Sequence, residues 1–493
     1  MLKLTNIAAA LLSPISYSPS MFEQTFKNLD DIMLQEAGCN SELDYTEQTS
    51  WMLFLKYLDD LEGEREIEAK IEGRTHAPLF EEKFRWKSWA MDESKIADDL
   101  IDFVNQELMP YLRRFKDSAT ANDTIEYKIG EIFGEVRNKF GNGYLLRDAL
   151  EKIDQLEFGS QEQKHELSDL YESRIKNMGN AGRNGGQYYT PRPLIRAMIK
   201  VIDPKLGETI YDGAAGSAGF LCEAYDYLEP SVNSPSDLDT LQSKTLYGQE
   251  QAPLAYVIGL MNMILHGVNA PNYLRTDTLA TRIADIEEKH RYNVIFANPP
   301  FGTNKNKQLQ QNFPIKSSES AYMFMQHFIE SLKAGGRAAI VIKNTFLSNT
   351  DNASIALRKL LLDDYNLHSV LDCPGGTFLG AGVKTVVLFF EKGQKTKDIW
   401  FYALDPGRNM GKTNPLNDKD LAEFIELQKS FMKSDKSWSV SASDLDAATY
   451  DLSLKNPNTP EDAPLRAPEV IIKDMLMRDE ETAKILADIR GML

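Results

Sequence analysis

The sequence predicts an α/β protein in which a doubly wound sheet follows a helical domain and precedes a helical tail. Three observations predict it. From residue 21 to 165, apolar residues recur at helical spacing and no strand pattern is evident. From 166 to 405, short β-rich runs alternate with helical segments, the β-α-β order of a doubly wound sheet. Where the texture changes stands a Gly/Asn-rich break, Asn177-Met178-Gly179-Asn180-Ala181-Gly182-Arg183-Asn184-Gly185-Gly186.

Residues 1–20, MLKLTNIAAALLSPISYSPS, read as a mis-assigned start or disordered extension, with translation from Met21, more than as a secretory leader. In the helical domain, Trp51-Met52-Leu53-Phe54-Leu55 with Tyr57 and Leu58 forms an apolar stripe. Ile96–Phe103, Ile125–Phe133 and Leu145–Ile153 repeat the spacing, and Trp86 and Trp89 read as core. Candidate strands are Thr209–Tyr211, Thr245–Gly248, Tyr273–Arg275, Val294–Ala297, Ala338–Ile342, Ser369–Leu371 and Val386–Phe390. Candidate helices are Leu194–Ile202, Ala218–Leu228, Pro253–His266, Tyr322–Leu332 and Ile355–Leu362. The polar stretch Glu229–Gln242 reads as a loop insertion. From 406 to 493 the chain is polar and then helical. Val470–Leu493 has apolar residues at 472, 475, 476, 485, 486, 489 and 492, an amphipathic pattern suited to a partner.

Composition narrows the function. The 493 residues, 42% hydrophobic and 26% charged, are ordinary for a globular protein. Cys39, Cys222 and Cys373 are far apart and odd in number, which fits a reducing cytoplasm without a disulfide framework. With six histidines and no HExxH or CxxC pattern, no metal site is expected. A net charge of −18 argues against unaided grip on nucleic acid, which needs clustered Lys and Arg. It leaves DNA open as a substrate if a partner supplies the grip. No apolar run approaches the roughly 20 residues of a membrane span.

The most informative residues are Asn298-Pro299-Pro300-Phe301, after the apolar run Val294-Ile295-Phe296-Ala297. An exocyclic amino nitrogen conjugated to its ring is a poor nucleophile. The Asn298 side-chain oxygen and a prolyl carbonyl can each accept one N–H from it, localising the lone pair. The prolines fix φ and remove competing N–H donors, and Phe301 offers a face for an unstacked base. Alone, the tetrapeptide also reads as a plain turn leaving a strand.

A second motif, Asp212-Gly213-Ala214-Ala215-Gly216-Ser217-Ala218-Gly219-Phe220, joins the first strand to a helix. Small residues there let the backbone approach a ligand closely. Glu250 ends the second strand, where a carboxylate can bond both ribose hydroxyls of a nucleoside ligand. Asp277 follows the third strand, where that ligand's base would lie. In Gln187-Tyr188-Tyr189-Thr190-Pro191-Arg192-Pro193, Thr190 and the prolines suit a helix start. Its functional reading is a wall for a ligand's amino-acid end, with Arg192 and backbone amides facing a carboxylate.

These motifs, in the order GQYYTP, DGAAGSAGF, NPPF, resemble the gamma class of S-adenosylmethionine-dependent DNA amino-methyltransferases. More specifically, the chain is similar to the modification subunit of type I restriction–modification systems. LDDIMLQEAG, WMLFLKYLDDLE, GGRAAIVIKNTFL and GAGVKTVVLFFEKG support this, and the resemblance spans residues 21 to 455. It implies a Rossmann-like methyltransferase domain at 166–405, a helical N-terminal domain at 21–165 and a partner-binding tail at 406–493. It implies that Gln187, Tyr188, Tyr189, Thr190, Pro191, Arg192, Ser217, Ala218, Gly219 and Glu250 hold S-adenosyl-L-methionine, alongside Asp212 and Asp277. Asn298, Pro299, Pro300 and Phe301 would hold a flipped adenine for N6 methylation. Implied partners are DNA, a specificity subunit shared by two modification subunits, and a restriction/translocase subunit, in the cytoplasm. Many relatives have Pro in place of Gly213 and Thr-Gly in place of Ser217-Ala218, so Gly213 is expected to loosen the turn. Alternatives are methylation of a protein glutamine or of cytosine N4, or a non-catalytic assembly role.

Overall fold

In the computed structural model, the described residues are 21–121, 124–158, 161–179, 189–269, 271–301, 307–378, 383–411, 413–458 and 468–492. The expectations for residues 1–20, for Gln187 and Tyr188, and for most of the Gly/Asn-rich break fall outside them.

The N-terminal region is helical among its described residues. Its longer helices are α1 (Met21–Met33), α2 (Glu42–Ile71), α3 (Ile125–Glu135), α4 (Gly143–Asp154) and α5 (Gln161–Gly179). Ser41 starts α2, its hydroxyl accepting the Asp44 amide at 3.2 Å. Trp51 through Leu55 are all buried, so the middle of α2 is covered on every side and forms the axis of the domain. Trp86 and Trp89 are core residues, packed edge to face at 5.5 Å.

The second region holds a mixed sheet of nine strands, in the order β3-β2-β1-β4-β5-β7-β6-β8-β9. They are β1 (Ile210–Asp212), β2 (Leu246–Glu250), β3 (Asn272–Arg275), β4 (Tyr292–Ala297), β5 (Leu332–Lys343), β6 (Tyr365–Cys373), β7 (Thr385–Lys392), β8 (Asp398–Ala403) and β9 (Ser437–Ser441). The first five in that order are mutually parallel. β7 is inserted antiparallel to both β5 and β6, and β9 closes the far edge antiparallel to β8. Helix α6 (Arg192–Ile202) leads into β1, and α7 (Gly219–Leu228), α8 (Pro253–Leu265), α9 (Ser320–Glu330) and α10 (Asn352–Asp364) lie in the crossovers, with α11 (Asp418–Gln428) between β8 and β9. Alternation sorts the strand side chains onto two cores. Val294 and Phe296 join one, Ile295 and Ala297 the other, which is why this run is continuously apolar.

Two expectations need correction. Glu229–Gln242 is not all loop, because Pro235–Thr240 is a helix capped by Ser234. The sheet also does not end at 405, since β9 pairs with β8. Beyond it, Arg358 holds the chain near Tyr450 to the domain.

The N-terminal helices share a core with one face of the sheet. The buried Lys128 of α3 donates to the Tyr273 carbonyl on edge strand β3 at 3.0 Å, and Glu135 pairs with Arg275. A sheet edge that would otherwise offer unpaired backbone groups is thus covered. At the other end, α12 (Pro468–Met492) leaves its apolar residues exposed, Ile472, Met475, Leu476, Ile485, Leu486 and Ile489 among them. No helix among the described residues is long and apolar enough to cross a membrane.

Candidate active site

The chain leaves β1 toward β2 and β3, then returns to the other side of β1 as β4. In an open parallel sheet, the crevice beyond the carboxyl ends at such a reversal is where ligands sit. Asp212 ends β1, Glu250 ends β2 and Asn298 follows β4. Gly213, Glu250, Asp277, Thr278, Asn298, Pro300 and Phe324 border a narrow cavity there, of about 90 Å³. A larger cavity of about 610 Å³ lies in the helical domain, but none of the expected cofactor or adenine residues lines it.

Asn298 donates through Nδ2 to the Thr190 hydroxyl at 3.0 Å, which fixes the amide's orientation. Its Oδ1 is buried and has no hydrogen-bond partner among the described residues. An acceptor left in that state costs about 1–3 kcal/mol, and the Nδ2 bond to Thr190 holds the oxygen there against that cost. The Pro300 carbonyl accepts from Ser320, at the start of α9, at 3.3 Å and keeps a second lone pair. Phe301 is half-buried and meets Phe378 edge to face at 6.0 Å. The polar loop Gly302–Gln311 that follows is described only from Lys307.

The Gly-rich turn is built on two carboxylates. Asp212 is buried, accepts the Ala214 amide at 3.0 Å through Oδ1, and has no partner at Oδ2 among the described residues. Burial, with Glu250 nearby, pushes its pKa up to about 8. Glu250 accepts the Gly216 amide at 2.9 Å and the Ala252 amide at 2.7 Å, so it shapes the turn as well as bordering the cavity. Ala218 enters α7 at φ 61°, a left-handed conformation that favours Gly. Ser217 is buried and Gly219 begins α7. The turn is not loose at Gly213. The Thr278 hydroxyl holds its carbonyl at 2.6 Å, and a Cβ there would come within 2.6 Å of the Tyr211 hydroxyl. Asp277 caps a short 3-10 turn through the Leu279 amide at 3.1 Å.

Behind the turn lies a buried polar network. Tyr189 packs its ring under the Arg192 guanidinium, at 5.4 Å. Arg192 pairs with Glu172 of α5 through Nε, while Nη1 and Nη2 have no hydrogen-bond partner among the described residues. Glu172, Cys222 and His266 place ligand atoms within 4.8 Å of one another, a spacing that could suit a metal ion. Both Glu172 oxygens are already taken, one by Arg192 and one by Asn262, and the guanidinium opposes a second cation. A further set braces β1 and β2. Tyr211 donates to Gln249 at 2.9 Å, so its oxygen receives His327 at 3.0 Å. Burial holds His327 neutral, its pKa lowered to about 4.

Sequence reasoning missed Glu172, Gln249, Asn262, Thr278 and Phe324. Asn262 had a readable signal as the polar residue inside the apolar helix PLAYVIGLMNMIL. Glu172 had none.

The N-6 DNA methylase family matches residues 162–464, and the HsdM N-terminal domain family matches residues 22–153. The methylase subunit of the type I restriction enzyme EcoEI, from Escherichia coli, is 35% identical over 87% of this chain and 89% of its own length. The crystal structure of a modification subunit from Vibrio vulnificus YJ016 is 34% identical, with a TM-score of 0.80 over 89% of this chain and 97% of that one. A chain from a structural study of type I complex assembly and conformational transition is 33% identical, with a TM-score of 0.78 over 96% of this chain and 99% of that one. The chain belongs to the N-6 DNA methylase family, as the modification subunit of a type I restriction–modification system, a DNA adenine-N6 methyltransferase that takes its methyl group from S-adenosyl-L-methionine.

Proposed function

We propose that Asn298, Pro299, Pro300 and Phe301 receive a flipped adenine and activate its N6. The observation that carries this is the Asn298 amide, with Nδ2 held by Thr190 and Oδ1 buried and unpartnered. Oδ1 and the free lone pair of the Pro300 carbonyl would each accept one N6–H, turning the nitrogen lone pair toward the methyl donor. When bound, S-adenosyl-L-methionine would supply an electrophilic methyl group to N6, its sulfur would keep the electron pair of the broken carbon–sulfur bond, and the proton N6 sheds would pass to solvent. Positioning and electrostatics suffice for such a transfer, because the sulfonium already makes the methyl group electrophilic. The base lies inside the duplex and must be extruded, and Phe301 offers it a stacking face.

Two unsatisfied groups fit the cofactor's chemistry, Asp212 Oδ2 its cationic ammonium and the Arg192 Nη1 and Nη2 pair its carboxylate. Glu250, which borders the cavity, suits its ribose hydroxyls. Gln187 to Arg192, Ser217 to Gly219 and Asp277 complete the proposed cofactor site. The exposed apolar face of α12 supports a tail that docks on a specificity subunit shared by two such chains, with a restriction/translocase subunit added. Cys39, Cys222 and Cys373 are buried free thiols, which suits a cytoplasmic protein.

The test is Asn298→Ala in the assembled complex, with methyl-labelled cofactor and target DNA. Methyl transfer should fall about 100-fold or more, with cofactor binding retained. Undiminished transfer would remove Asn298 from the role.

A further inference from the structure

We infer that Glu172 is a positioning residue that aims Arg192 at the carboxylate of the cofactor. This rests on the cofactor reading of Arg192 given above. Glu172 lies on α5, outside every motif of the sequence.

One carboxylate of this helix ties together three parts of the site. It receives Nε of Arg192 and, at 2.6 Å, Nδ2 of Asn262 on α8. The same Asn262 nitrogen donates to the Ser217 carbonyl of the Gly-rich turn at 3.0 Å. Arg192 opens α6, two residues after Thr190, which in turn fixes Asn298. Arg192 is buried, and its guanidinium lies so close to Gly219 that a Cβ there would come within 1.5 Å of Nη1. Gly219 is therefore required by the guanidinium.

The electrostatics need an explanation. Gly219 begins α7, and the amino end of a helix repels a cation and attracts an anion. A guanidinium rests there because Glu172 balances its charge. Burial raises the Glu172 pKa, but the charge and hydrogen bond of Arg192 outweigh this and hold it below the ordinary carboxylate range. Glu172 uses only Nε. It leaves the Nη edge, a forked pair of N–H groups suited to a carboxylate, facing the helix terminus with no partner. Pairing through Nη would have left nothing for the ligand.

The discriminating ligand is decarboxylated S-adenosylmethionine. The full-length wild-type chain should bind intact cofactor more tightly than this analogue by calorimetry. Glu172→Gln keeps an acceptor for Asn262 and removes the charge. It should weaken the intact cofactor about tenfold and the analogue little, so the preference for the carboxylate shrinks. Equal weakening of both ligands would mark Glu172 as structural only and overturn the inference, as would an unchanged preference. Should Glu172→Gln not fold, Glu172→Asp carries the test, because it withdraws the charge by one methylene and the preference should again shrink. Failure of the wild type to bind intact cofactor would instead defeat the reading of the cofactor site.

Discussion

At the residue scale, the pair Thr190–Asn298 joins two motifs more than 100 positions apart with one hydrogen bond. Without the Thr190 hydroxyl the Asn298 amide could rotate, and its oxygen and nitrogen would compete to face the substrate. Thr190→Val should lower kcat about tenfold and leave cofactor affinity close to wild type, since the loss is one of orientation. Steady-state kinetics on target DNA with calorimetric cofactor titration checks it; an unchanged kcat removes the hydrogen bond from the mechanism. Asp212 makes the site sensitive to pH. Its unfolded pKa is ~4 and its folded value is about 8. The free protein therefore binds more protons folded than unfolded across that window. The stability this contributes is full below pH ~4 and is lost as pH rises through about 8. Binding a cationic ligand favours the carboxylate and works in the opposite sense. Cofactor affinity should rise about tenfold between pH 6.5 and 8.5, and Asp212→Asn should flatten that rise. A slope that survives the substitution would move the effect to Glu250, whose pKa burial also raises.

At the element scale, Arg358 shows why the chain beyond residue 405 is part of the catalytic domain. From α10 its buried guanidinium donates to four carbonyls: Phe346 and Asn349 after β5, and Thr449 and Tyr450 beyond β9, at 2.6 to 2.8 Å. Arg358→Met would keep much of the stem's packing and orphan several acceptors at once. It should destabilise the domain by about 3 kcal/mol or more, read as a lower denaturation midpoint with unchanged slope. Removing α12 should do the opposite. Its apolar residues are exposed, so deletion of 468–493 should leave the melting temperature unchanged and abolish assembly with the specificity subunit. Much of this organisation was legible. Every candidate strand and helix of the α/β region appears, the strands because a sheet covered on both faces writes them as continuous apolar runs. β9 was hidden because Ser437-Trp438-Ser439-Val440-Ser441 places small hydroxyls between its apolar residues and reads as loop. β8 was readable, since Ile399-Trp400-Phe401-Tyr402 has strong strand propensity, and it was overlooked. The motifs were legible for a different reason, as backbone constraints written in Gly and Pro. Glu172 and Thr278 act through tertiary contacts to backbone and charge, which leave no local pattern.

At the scale of the whole molecule, the charge of −18 separates chemistry from grip. Adenine extrusion costs a few kcal/mol, and phosphate contacts are the usual source of that energy on duplex DNA. An acidic chain supplies few of them. The covered β3 edge and the buried Lys128 show cations used to join the two regions of the chain, away from any ligand. The modification subunit alone should therefore bind target duplex weakly and with a shallow dependence on salt. Assembly with a basic specificity subunit should steepen that dependence, with log affinity falling by about 0.9 per phosphate neutralised for each unit of log salt concentration. Fluorescence anisotropy with one labelled duplex, from 50 to 200 mM salt, measures both slopes under matched conditions. A slope for the isolated chain as steep as that of the complex would place the grip on this subunit, and the net charge would then conceal a local basic surface. The same titration with cofactor present separates grip from chemistry. Saturating S-adenosyl-L-methionine should change the affinity of the complex for target DNA and leave its salt slope unaltered, because the cofactor brings no phosphate contact.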